Sequence, residues 1–150
     1  MSSYVSADLR RVVANRSRNV CEYCLIHERD TYLGCHIDHI ISEKHGGLTT
    51  SENLCYACAL CNRNKGSDIG SFVTGNDGLV RFYSPREDVW SDHFEVQSTR
   101  IEFKTSIGEV TARILRFNTA ERLMEREALI EVGRYLSLEA RELVAAQGET

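Results

Sequence analysis

The sequence holds one proline in 150 residues, Pro85, and no Pro/Ser linker, internal repeat or low-complexity tract. Nothing in it marks a domain boundary, and its length suits one domain of ordinary size. No apolar run reaches the roughly 18 residues a membrane helix needs. The start, MSSYVSADLRR, lacks the apolar stretch of a secretory signal, so no membrane association and a cytoplasmic location are expected. An excess of positive charge is missing too. Lys and Arg number 18 against 22 Asp and Glu, a net charge of −4, which excludes a strongly basic coat protein but not a local polyanion surface. The acidity lies late: residues 67–100 carry three bases against six acids and 101–150 seven against nine, whereas residues 1–30 carry five arginines against four acids. A polyanion surface is therefore expected in the first half. A chain this long buries about 70 % of its unfolded surface and needs no disulfides. Its six cysteines, in a reducing compartment, are more readily metal ligands than disulfides.

Residues 7–16 read as a helix capped by Ser6, with Leu9, Val12, Val13 and Arg16 at helical spacing. LGCHIDHII (33–41) reads as a strand, 42–52 as a loop around Gly46-Gly47, 54–56 as a second short strand and 59–66 as a helix ending at Gly66. Asn76-Asp77-Gly78 is a turn signal, followed by a strand, LVRFYS (79–84). The alternation at Ile101, Phe103 and Thr105, and again at Val110, Ala112 and Ile114, predicts an antiparallel hairpin turning at Gly108. Asn118-x-x-Glu121 resembles a capping box opening a helix to about Gly133 or Leu136, and Ser137 caps a last helix ending near Gly148. The expected class is α+β.

Cys21-x-x-Cys24 and Cys58-x-x-Cys61 are two knuckles of matching shape, 33 residues apart. Each tight turn offers two thiolates, and together they make the soft four-ligand set of tetrahedral zinc. Cys55-x-x-Cys58 competes as a pair, but Cys55 falls within the apolar NLCY and Cys35 within a strand. Both read as small buried hydrophobes.

Between the knuckles stands HIDHIISEKHGGLTTSENLCYACALCNRNK. The order Cys21-x-x-Cys24, Asp38-His39-Ile40, Gly46-Gly47, Ser51-Glu52-Asn53-Leu54 and Cys58-x-x-Cys61-Asn62-x-x-Lys65 resembles the HNH endonuclease family, in the subtype whose ββα-metal site is braced by a four-cysteine zinc. The resemblance covers about residues 10–68, with 69–150 as an extension of the same single domain. It implies a zinc-braced ββα-metal core, here followed by an antiparallel hairpin and C-terminal helices. It departs from the family at the third position, where Asn62 stands in place of His.

Phosphodiester hydrolysis needs an activated water, a Lewis acid and a held phosphate. His39 is the candidate general base, being neutral in part at pH 7. Asp38 and Asn62 offer oxygens that suit Mg²⁺ or Mn²⁺ with open water positions. Adjacent strand residues face opposite sides, so Asp38 and His39 share a site only if the strand ends or bends there. The resemblance implies that Asn53 orients the His39 ring. Lys65 and Arg63 lie where they can hold phosphate. His36 is either a further ligand or a strand residue, and His45 a loop residue. Arg10, Arg11, Arg16 and Arg18 are either a solvated helix face or a DNA-backbone contact. Trp90 reads as an anchor docking its loop on the core.

The leading expectation is a metal-dependent DNA endonuclease, with RNA open as a substrate, and the resemblance implies cuts leaving 5′-phosphate and 3′-hydroxyl ends. A monomer nicks and a homodimer makes paired cuts. The alternative is a non-catalytic zinc-stabilised module that binds nucleic acid or protein. It would need the four cysteines but not Asp38, His39, Asn53 and Asn62.

Overall fold

The computed structural model describes residues 4–75 and 78–148. Helix α1 (Ala7–Arg16) starts where the Ser6 side chain accepts from the Leu9 amide, and it buries Val13. The first knuckle is a tight loop closed by a bridge between Val20 and His27, with Leu25 at φ 66. Strand β1 (Cys35–His39) pairs antiparallel with β2 (Leu54–Cys58), placing Asp38 opposite Cys55 and His39 opposite Leu54. β1 is shorter than 33–41. Gly34 at φ 74 bends the chain into it, and beyond His39 the chain leaves for the loop.

β2 runs straight into helix α2 (Ala59–Lys65), where the Cys58 sulfur caps the helix by accepting from the Cys61 amide. The second knuckle is thus a strand-to-helix junction, and β1, β2 and α2 form the ββα unit. Strands β3 (Gly70–Phe72) and β4 (Leu79–Arg81) pair next. The turn expected at Asn76-Asp77-Gly78 lies partly outside the described residues. The strand expected over 79–84 stops at Arg81, because Phe82 bonds to the Ile69 carbonyl and the Tyr83 amide to the Thr111 hydroxyl, turning both rings into the core.

The hairpin expected around Gly108 is overturned. Helix α3 (Trp90–His93) leads into strand β5 (Phe94–Gln97), which pairs with β6 (Arg100–Phe103), Val96 opposite Ile101. Residues after Thr105 form helix α4 (Ser106–Ile114) instead of a second strand. The Thr105 hydroxyl accepts from the Gly108 amide, and Val110, Thr111, Ala112 and Leu115 are buried. The same apolar residues satisfy both periods over so short a run, and the cap with the packed face decides for helix.

Helix α5 (Ala120–Glu131) follows, capped by Thr119 and not by Asn118. The Asn118 side chain instead spans the Ile101 backbone, accepting from its N–H at 3.0 Å and donating to its C=O at 2.8 Å. Helix α6 (Leu138–Gln147) has the expected Ser137 cap.

The class is α+β, and the sheets among the described residues are two-stranded antiparallel pairs. None of the described helices is long and apolar enough to cross a membrane. One buried cluster runs from Val20 to Leu143, so the extension packs directly on the knuckle. Trp90 is buried and its Nε1 donates to the Tyr23 carbonyl at 2.8 Å. Arg86 pairs with buried Glu22, and the Tyr135 hydroxyl donates to the Cys24 carbonyl at 2.9 Å.

Candidate active site and metal centre

Cys21, Cys24, Cys58 and Cys61 are buried, and their sulfurs all lie within 4.8 Å of one another. Cys24 Sγ and Cys58 Sγ are 3.7 Å apart. Four sulfurs at about 2.3 Å from a tetrahedral ion stand about 3.8 Å apart, so the cluster has the right size for that ion. In each knuckle a backbone amide donates to the first sulfur, Cys24 N to Cys21 Sγ and Cys61 N to Cys58 Sγ, both at 3.5 Å. Among the described residues this is the one group of three or more His, Cys, Asp or Glu side chains placed to hold a metal. Cys55 is buried behind Asp38 and Cys35 is half-buried, and neither joins the cluster.

Asp38 and His39 end β1 on opposite faces, as alternation requires. Asp38 is buried, with Oδ2 3.0 Å from Lys65 Nζ. Burial pushes its carboxyl above the usual carboxylate range, against the pull of Lys65 and, more weakly, of His39. The Lys65 ammonium also donates to the His39 carbonyl at 2.8 Å. Lys65 is 1 % exposed. It therefore presents no open face to a phosphate, which corrects the expected role. It is instead the pin that fixes Asp38 and the His39 backbone together on α2. Asn62 lies one helical turn before Lys65 and so on the same side of α2.

The His39 ring is turned into the loop. Its Nε2 is 2.9 Å from Thr49 Oγ1 and 3.4 Å from Glu43 Oε1, and the Thr49 hydroxyl donates to that same Glu43 oxygen at 3.3 Å. A hydroxyl that donates to Glu43 accepts from His39, which puts a proton on Nε2, so that in a neutral ring the lone pair lies on Nδ1.

The expected bond from Asn53 to the His39 ring is not made. Asn53 Oδ1 accepts from the Ile41 amide at 2.9 Å, and Nδ2 donates to the carbonyls of Ile41 and Leu48 at 2.8 and 2.9 Å. The side chain pins both ends of the loop that carries Glu43, and acts on His39 only through it. Gly47 makes this closure possible, since a Cβ there would lie 1.7 Å from the Ile41 carbonyl oxygen. Sequence reading missed Thr49 and Glu43. Glu43 stands four residues after His39, a spacing that carries meaning on a helix but none in an irregular loop.

The arginines divide. Arg10 and Arg11 are exposed on α1, Arg11 paired with Asp8. Arg16 is half-buried and donates to the Leu54 carbonyl at 2.8 Å, and Arg18 lies 3.7 Å from Glu142. Those two brace the fold. Arg63 is exposed on α2 and shares a groove of about 370 Å³ with Arg116, which stands at φ 58 after α4. His36 and His45 are exposed.

Residues 21–68 match the family model described as HNH endonuclease. No curated protein and no solved structure matches the chain. The matched segment opens on the first knuckle, contains the ββα unit and closes just past Lys65, and its four cysteines, placed to hold a metal, are consistent with the zinc-type form of that family.

Proposed function

We propose that the protein is a metal-dependent DNA endonuclease acting as one domain, with a core over residues 10–68 and an extension over 69–150. The observation that carries this reading is the His39 ring, held by Thr49 and Glu43 at the end of β1. A neutral imidazole with a fixed Nε2–H and a lone pair on Nδ1 is set up to take a proton from water.

The four cysteines hold a structural Zn²⁺. Asp38 and Asn62 are the donors available to a catalytic Mg²⁺ or Mn²⁺, an anionic and a neutral oxygen of the hard type such ions take. Bound there, the ion would supply Lewis-acid stabilisation of the charge that develops on the phosphate. The chain's own residues do the rest. Lys65 holds Asp38 and the end of β1 in place, Asn53 and Gly47 close the loop, and Glu43 and Thr49 orient the base. Arg10 and Arg11 on α1, with Arg63 and Arg116 beside α2, are the exposed cations that suit backbone phosphates.

A second reading is a non-catalytic module, favoured by one observation: Lys65 already pairs with the Asp38 carboxylate. One assay separates the two. Supercoiled plasmid is incubated with the full chain in Mg²⁺ or Mn²⁺, with and without EDTA, beside the H39A variant and a structured RNA. Nicked plasmid is expected from the wild type alone, with loss of about 10²–10⁴-fold in H39A. Equal cutting by H39A sinks the base assignment, and no cutting with either ion leaves the non-catalytic module.

A further inference from the structure

We propose that Arg122 of α5 is a positioning residue of the four-cysteine metal centre, holding its charge and coupling the C-terminal helices to it. The proposal rests on the zinc reading of the four cysteines. Arg122 is 3 % exposed and lies far along the chain from both knuckles. Its guanidinium nevertheless reaches three of the four sulfurs. Nη2 donates to Cys24 Sγ at 3.0 Å, and Nη1 lies 3.7 Å from Cys61 Sγ and 3.9 Å from Cys58 Sγ.

A buried guanidinium needs a buried anion. Glu125, one turn further along α5, meets only its Nε, at 3.1 Å, and is itself 31 % exposed. The two terminal nitrogens face sulfur. Neutral thiols would leave that end of the cation uncompensated. Four thiolates around a divalent ion carry a net charge of about −2, and one guanidinium against them offsets half of it. The planar fork of arginine spans two knuckles at once, which a single ammonium cannot do.

The geometry has a structural consequence. The thiolates come from the family-matched segment and the cation from the extension, so each half completes the other's buried charge. The Tyr135 hydroxyl, on the Cys24 carbonyl, adds a second tie from the same C-terminal part. One flank stays open. A cavity of about 220 Å³ is lined by Leu33, Gly34, Leu60 and Glu125 together with both Cys58 and Arg122, so it meets the cluster where the guanidinium and a ligand stand side by side.

The test uses full-length wild type, R122K and R122M, each loaded with Co²⁺ for spectroscopy and with Zn²⁺ for release to excess EDTA. An N–H···S bond lowers the energy of sulfur electrons. R122M should therefore move the sulfur-to-cobalt charge-transfer band to lower energy and release zinc about 10–100-fold faster, the usual cost of losing a partner to a metal ligand. R122K, keeping the charge but not the fork, should fall between. A folded R122M with the wild-type band and release rate overturns the proposal. Should R122M not fold, the same null result in R122K overturns it. A wild type that binds neither ion at one per chain overturns the zinc reading itself, a failure distinct from intact binding that ignores position 122.

Discussion

Lys65 shows how a single side chain can look functional in sequence and prove structural in place. Its spacing after Asn62 suggests a phosphate ligand, yet its ammonium is buried between the Asp38 carboxylate and the His39 carbonyl. A buried pair is of uncertain net benefit, but removing one partner is costly because the other charge is left uncompensated. Lys65→Met should cost about 3–5 kcal/mol, read as a fall in the denaturation midpoint, and should impair cleavage through displacement of Asp38. A Lys65→Met protein as stable as wild type would show that Asp38 is not held by this pair. His39→Ala should behave in the opposite way, losing the proposed cleavage while its melting curve changes less than that of Lys65→Met, because the ring bonds to Thr49 and Glu43 of one loop and leaves no buried charge pair broken.

Helix α4 carries the clearest lesson at the scale of elements. Its residues alternate well enough to pass for a strand, and Gly108 looks like the turn between two strands. In the structure Gly108 is a helical position pressed against α3. A Cβ on it would lie 2.3 Å from the His93 carbonyl oxygen. Gly to Ala in a helix ordinarily gains up to about 1 kcal/mol. Here the added methyl must push backbone apart, so Gly108→Ala should destabilise, as measured by thermal melting. A stabilised variant would mean that α4 does not dock on α3 in this way. The loop between β1 and β2 is an element of the same sort, shaped by Gly47 and by the three bonds of Asn53 to Ile41 and Leu48.

At the scale of the whole molecule the four-cysteine cluster is the junction. The first knuckle is packed by Trp90, Arg86 and Tyr135, and the second opens α2. Metal bound there contributes directly to folding, since no such site exists in the unfolded chain. Removing it with a strong chelator, or substituting Cys24→Ser, should melt core and extension in one transition, followed by circular dichroism and tryptophan emission from Trp90. Two separated transitions would show that the extension stands without the metal.

The sequence by itself determined what depends on local chemistry. The two knuckles, the caps at Ser6 and Ser137, and the α2 helix closing at Gly66 are all set by residues close together in the chain, and all stand in the fold, whereas the strand read as 33–41 ends at His39. Tertiary structure alone decided the rest. Alternation at 110–114 cannot tell strand from helix until a packed face selects one. The bond of Asn53 goes to the loop, and the ring partners of His39 are Thr49 and Glu43, because the loop's path brings them there. Arg122 reaches the cysteines across nearly a hundred residues, and no local pattern encodes a buried cation's partner when the anion lies in another half of the chain.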